Sequence, residues 1–539
     1  MLEIKNFKEE AVSMLKWLIS IPSITRTKGE CEIIEAIFQY LNDLDYFKKN
    51  PSHLRFIPHQ NDINHSILAF VQAQHTTPNT LVVLCNTDTS NDEGFGVVKS
   101  LAADSDALKL KLKELAAANK QKQALENDDY IYGLGSFECK APTAGLLVLL
   151  KYLSAAPELL DVNLLLVCTS EQLNAHQGIR ECLPYINDLT KELHIKLRLA
   201  LTFRPETLPN SPDRFRLYTA NMGKIETCFY ILGKGANPER AFTGFSPTLV
   251  ASKIISAIEL NPALTEDLSN RALVPTFNYI RTHNNRSANT PSSALLSFSI
   301  PFINIDLIDL IEILKQIAAE CLEQAASLIE DRHAKYALIQ GSSFEGLTGD
   351  AEIISYSDLF YRASRHYRGN LASAVEGLLQ NCTAEGLSSQ DTVKNIIERL
   401  IDLTSLPRPS IIVFFGNDFI PQQLLRRNHS EDRELYIRLN SAVEEFNSLK
   451  ETKTLDIENE CQPNDGCFLR PVGIDAALKI LTNESPIAVN TFYNINAPCV
   501  SVTYKGGNLY SPYEYVDSDF FTQMKYLLDK LLNCLKNTH

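Results

Sequence analysis

Apolar residues recur along this chain with two periods. In Phe7 to Ile19 they fall at Val12, Leu15, Leu18 and Ile19, a helical stripe that stops at Pro22. Glu32 to Leu44 repeats it with Ile33, Ile34, Ile37, Phe38 and Leu41. Short apolar runs follow at Ser66 to Gln72, Thr80 to Cys85, Val162 to Cys168 and Leu197 to Phe203, and these predict strands. Between them, Leu108 to Leu125 reads as a solvated helix, Ala144 to Leu153 as an apolar one, and Ile179 to Leu189 as a third. Strands alternating with helices predict an α/β fold with a mostly parallel sheet flanked by helices.

Beyond Met222 the texture changes. A strand at Ile225 to Leu232, a helix at Pro247 to Ile258, a strand at Ala294 to Pro301 and a helix at Ile305 to Leu328 predict a smaller inserted α+β domain. The expected organisation is a first α/β part over 1–221, an insertion over 222–335, a helical segment over 336–403, and a second α/β part over 404–539. In that last part the larger sheet is expected to resume with Ser410 to Phe415 and continue through Pro498 to Thr503, closed by a helix at Phe520 to Leu535.

A chain of 539 residues is long enough for two or more cores. Its formal charge of −14, without a long basic run, argues against nucleic acid or an anionic membrane as partner. No stretch approaches the roughly 18 apolar residues of a membrane-spanning helix. The twelve cysteines are scattered and the N-terminus lacks a signal-peptide core, so reduced thiols and a cytoplasmic location are expected.

Chemistry concentrates where the runs turn polar. In α/β sheets ligands bind outside the carboxyl ends of the strands. Four such ends stand out: Asn86-x-Asp88, Gly133-x-Gly135-x-x-Glu138, Glu171-Gln172, and the corner from Phe203 to Glu206. Cys85, Cys139 and Cys168 lie at or beside these motifs and raise a thiol-nucleophile hypothesis, against which stands the commoner role of buried cysteine as a small hydrophobe.

These motifs resemble the M20 metallopeptidase family, most closely its RocB-type arginine-utilisation branch. The resemblance extends to Met222-Gly223-Lys224, Gly233-Lys234-Gly235-Ala236-Asn237, Phe245-Ser246-Pro247 to Glu259-Leu260-Asn261-Pro262, Ile412-Val413-Phe414-Phe415 and Gly506-Gly507, and so covers nearly the whole chain. It implies a hydrolase with two zinc ions, an α/β catalytic domain, and an inserted lid used for dimerisation. In that chemistry a glutamate takes a proton from a metal-activated water.

The resemblance breaks down at the metal ligands. The family's ligand positions correspond to Asn86, Glu138, Gln172, Arg204 (or Phe203) and Tyr510, with Glu206 able to serve after a small shift. Asp88 and the general base Glu171 are kept. Neutral amide oxygens bind zinc far more weakly than imidazole or carboxylate, and arginine repels a dication. No zinc centre of the family kind is therefore expected. Asn237 stands for the lid histidine that meets substrate, while Arg204 and His283 suit a substrate carboxylate. Three readings stay open. One is a pseudoenzyme binding an amino acid or small peptide in the cleft between the domains; the second is an amide hydrolase with Glu171 as base and an atypical metal site; the third is a scaffold that works through its dimer surface.

Overall fold

The computed structural model describes residues 4–60, 63–116, 119–206, 215–264, 273–283, 290–303, 306–340, 351–449, 452, 454–487, 492–493 and 495–536. The chain divides into two compact units, one of residues 1–222, 422–472 and 492–539, the other of 223–421 and 473–491.

The first unit is built on a mixed sheet of nine described strands. Its centre is parallel: Asn163–Thr169, Asn79–Asn86, Lys196–Pro205 and Cys499–Tyr504 lie side by side in that order. Antiparallel strands flank it, with His65–Val71 and Leu54–Pro58 on one side and Phe215–Asn221 on the other. The central strands are buried along almost their whole length, which is why they read as unbroken apolar runs. The helices Phe7–Ile19, Lys28–Asn42 and Asp519–Cys534 bury one face each in the same core, and Ala141–Ala155 is buried there nearly all round. This is the expected α/β class, with more antiparallel pairing at the flanks than an all-parallel sheet would have.

The second unit carries a five-stranded sheet in the order Glu352–Ser355, Ser410–Ile420, Gly223–Leu232, Ser293–Phe302, Thr276–His283. Three sequence expectations are corrected by the structure. The run Ser410 to Phe415 does not resume the larger sheet; its strand pairs antiparallel with Gly223–Leu232 and parallel with Glu352–Ser355. An unbroken apolar run states that a strand is interior, not which sheet encloses it. For the same reason the boundary at 404 fails, because 404–421 and 473–491 belong to the second unit. The helices between 356 and 402 pack in that unit's core with Ile412 and Phe414. In the first unit, Leu108 to Leu125 forms two helices, Ser105–Leu115 and Asn119–Glu126, rather than one.

The turn after Asn163–Thr169 decides where the chemistry of that strand end points. The chain leaves the strand at Ser170 and enters the helix Gln177–Glu192 within a few residues. Gly178 makes this possible, since a Cβ there would stand 1.9 Å from the Ser170 carbonyl oxygen. Gly178→Ala is expected to destabilise the protein by about 1–3 kcal/mol, read as a lower urea midpoint with unchanged slope. An unchanged midpoint would show that the turn is loose.

Candidate functional site

The strands Asn79–Asn86 and Asn163–Thr169 run parallel with Asn86 beside Thr169, so Asp88 and Glu171 leave the sheet at the same end. Asp88 is fully buried. Its Oδ2 accepts from the Leu173 amide at 2.9 Å and the Thr25 hydroxyl at 3.3 Å, while Oδ1 has no partner among the described residues. Burial pushes this carboxyl up, against the Leu173 and Gln172 amides that favour its ionised form.

Glu171 adopts the left-handed backbone region, with φ of 55°, a conformation that costs a non-glycine residue energy and persists where its surroundings fix it. They do so here. Its Oε2 lies 2.5 Å from His59 Nδ1, its Oε1 accepts from Asn174 Nδ2 at 3.1 Å, and its own amide donates to Glu30 at 2.8 Å. The other ring nitrogen of His59 meets the Ser66 hydroxyl at 2.8 Å. Burial would raise the Glu171 carboxyl, but His59, Asn174 and Asn64 outweigh it and hold the group below the usual carboxylate range. Glu30 accepts from the Arg26 and Glu171 amides at 2.8 Å each. Burial, with Asp88 and Glu171 nearby, pushes it up to about 7.

Glu138 stands in a wide helical turn, Ser136–Lys140, that opens the helix Ala141–Ala155. Both its oxygens accept from Ser90, from the amide at 3.0 Å and the hydroxyl at 2.7 Å. The Phe137 and Glu138 amides donate to Oε1 of the buried Glu514 at 2.9 and 3.0 Å, and Glu514 Oε2 has no partner among the described residues. Burial, reinforced by the Glu138 charge, pushes Glu514 up to about 8. Lys140 is buried too, donates to the Ile21 carbonyl at 3.0 Å, and is pushed down to about 8 by burial.

The remaining expected ligand positions are not gathered into a metal site. Asn86 accepts from Thr143 through its backbone carbonyl, and its side-chain Nδ2 is buried without a partner among the described residues. Gln172 is half-buried. Phe203 packs edge-on against Phe520, Arg204 donates to Gln462 at 2.6 Å, and Glu206 forms a buried ion pair with Arg216. Tyr510 is 58% exposed. Among the described residues no group of three or more His, Cys, Asp or Glu side chains is arranged to hold a metal ion. The donor set at the expected ligand positions therefore does not fit a pair of zinc ions: two positions offer amides, one a cation, and the carboxylates there, Glu138 and Glu206, are engaged with protein partners.

Asn237 and His283 lie in the other unit. Asn237 is exposed and its side chain caps the turn at Glu239, while His283 Nδ1 accepts from Lys394 Nζ at 3.3 Å. Two of the three thiols are held in the neutral form: burial pushes Cys139 well above its ordinary value, and a hydrogen bond from the Cys168 thiol to Cys85, with burial, does the same to Cys168.

Sequence reading missed His59, Glu30, Glu514 and Asp465, the partner of His176. His176 Nδ1 meets Asp465 Oδ1 at 2.6 Å, and Thr169 donates to the other carboxylate oxygen at 3.2 Å. Glu30 did leave a signal. It shares the helical stripe of Ile33, Ile34, Ile37 and Leu41, a carboxyl at a core position.

Comparison with known proteins agrees with this architecture. No protein-family model matches the chain. The uncharacterized protein YqjN of Bacillus subtilis is 25% identical over 423 residues, covering 77% of this chain and 75% of its own. Protein RocB of the same organism is 24% identical over 439 residues, covering 79% and 76%. The Bacillus subtilis YXEP protein, a dinuclear metal binding peptidase, superposes with a TM-score of 0.50 at 10% identity over 99% of this chain and 100% of its own, a likeness of fold.

The buried acids give a pH test. Glu514 titrates near 4.5 when unfolded and about 8 when folded, so the folded state holds its proton more tightly. The stability this confers is complete below about pH 4.5 and is lost as pH rises towards 8. Glu514→Gln should abolish that loss, making the variant melt higher than the parent at pH 8.5 but not at pH 5. Equal melting differences at both pH values would contradict the assignment.

Proposed function

We propose that this chain, which has the M20 peptidase fold and stands on the branch of RocB, serves amino-acid or peptide metabolism without two zinc ions. It binds an amino acid or small peptide at the carboxyl ends of the first unit's strands, with arginine utilisation as the setting that the resemblance implies. One observation carries this reading. At the positions where the family holds metal, Arg204 stands with a hydrogen-bonded guanidinium, Asn86 and Gln172 offer amides, and Glu138 is bound twice by Ser90. Arg204 suits a ligand carboxylate, which its planar fork can grip at two oxygens.

A second reading draws on a different observation. The buried Oδ1 of Asp88 and Oε2 of Glu514, without a partner among the described residues, are acceptors that a cation could use, and they favour a metal-dependent amide hydrolase with Glu171 as base. In that case Glu171 would have to exchange its His59 and Asn174 contacts for a water.

Calorimetric titration of the full chain with L-arginine, other amino acids and dipeptides separates the two. Saturable binding, weakened about 10- to 100-fold by Arg204→Ala and without hydrolysis, is expected. Absence of binding by every amino acid and dipeptide would overturn the proposal. Metal-dependent dipeptide cleavage that disappears in Glu171→Gln would install the second reading in its place.

A further inference from the structure

The first unit has a polar cavity at the opposite end of its sheet. The strands Asn79–Asn86, Lys196–Pro205 and Cys499–Tyr504 are adjacent and parallel, and Asn79, Lys196 and Pro498 at their amino ends line a cavity of about 340 Å³. It lies roughly 20 Å from Arg204, taking about 3.3 Å per residue from Arg198 along the strand. Its volume is at the lower end of small-molecule sites.

Its charges are unusual for this protein. An inner parallel strand should be apolar, as Leu197, Leu199 and Leu201 are, yet Lys196 and Arg198 point to the exposed side where this strand begins. Arg438 and Arg470, also in the wall, are fixed by partners. Arg470 holds the buried Asp432 through two nitrogens at 2.6 and 2.9 Å, and Arg438 holds Glu434 at 2.6 Å and two carbonyls at the end of the last helix. Those pairs neutralise Asp432 and Glu434. The residual charge is that of Lys196 and Arg198 against the exposed Glu431, a local positive balance in a chain of net charge −14. Two donors remain open. The Arg198 guanidinium has no partner among the described residues, and the Nε of Arg470, in a side chain more than nine-tenths buried, has none either. Leu197, Leu435 and Leu535 supply apolar wall between them.

We propose that this cavity is a second binding site, for a small organic carboxylate. The anion would take the fork of Arg198 and the open Nε–H of Arg470, with its carbon skeleton against the leucines. Arg438 and Arg470, already fixed by their partners, lose little freedom when the ligand arrives. The site is separate from that of the proposed function and does not depend on it.

The test is titration of the full chain with succinate at low ionic strength, with inorganic phosphate as the comparison anion. Saturable binding at one site, at least tenfold weaker in Arg198→Ala and unchanged in Arg204→Ala, is the expected result. Arg198 is exposed, so its replacement leaves the fold intact. Three results would overturn the proposal: no saturable succinate binding, equal binding by Arg198→Ala, or phosphate bound as tightly as succinate. Loss in Arg204→Ala alone would also overturn it, by assigning the ligand to the other end of the sheet.

Discussion

The contact between Glu171 and His59 is the constraint on which this end of the sheet depends. A carboxylate buried at a strand end is costly unless its charge is matched and its lone pairs are filled. His59 Nδ1 fills one of those lone pairs at 2.5 Å and its ring is itself seated by Ser66. With both oxygens of Glu171 engaged and its amide bound by Glu30, the left-handed turn is fixed. The direction in which Leu173 and Asn174 leave the strand follows from it. Leu173 then supplies the amide that binds Asp88.

At these strand ends the protein collects carboxyl groups, together with the buried Lys140. Glu30, Asp88, Glu138 and Glu514 are each raised by burial, two of them to about 7 and about 8. A pair of dications is one way to balance such a cluster; protons and backbone amides are another. Hydrogen bonds from the protein engage two of these groups. Ser90 closes around Glu138, and two amides of the turn at Phe137 close around Glu514. Arg204 and Arg216, on the strands Lys196–Pro205 and Phe215–Asn221, each have their own acceptor, Gln462 and Glu206.

Local order was legible in the sequence wherever a single face decided it. The helices Phe7–Ile19 and Pro247–Ile258 follow their apolar stripes to the residue, and the central strands follow their apolar runs to within a residue or two. Which sheet a strand joins was not legible, because Ser410–Ile420 is as apolar as the strands of the other unit. At the candidate site the motif positions Asp88, Glu138 and Glu171 could be named in advance, since strand ends concentrate polar residues. Their partners could not. His59 lies 112 residues from Glu171 and Glu514 more than 370 from Phe137 and Glu138, and such pairings are set by topology. Glu30 was the readable exception, a carboxyl in an otherwise apolar helical stripe.

The most direct measurement is the metal content of the purified full chain by elemental mass spectrometry, after dialysis and again after challenge with zinc and with manganese. Side chains already engaged with Ser90, His59, Gln462 and Arg216 predict less than a stoichiometric amount of tightly held metal under every condition. About two metal ions per chain surviving dialysis would contradict this, and would mean that the carboxyl groups at the strand ends exchange their protein partners for a dinuclear centre.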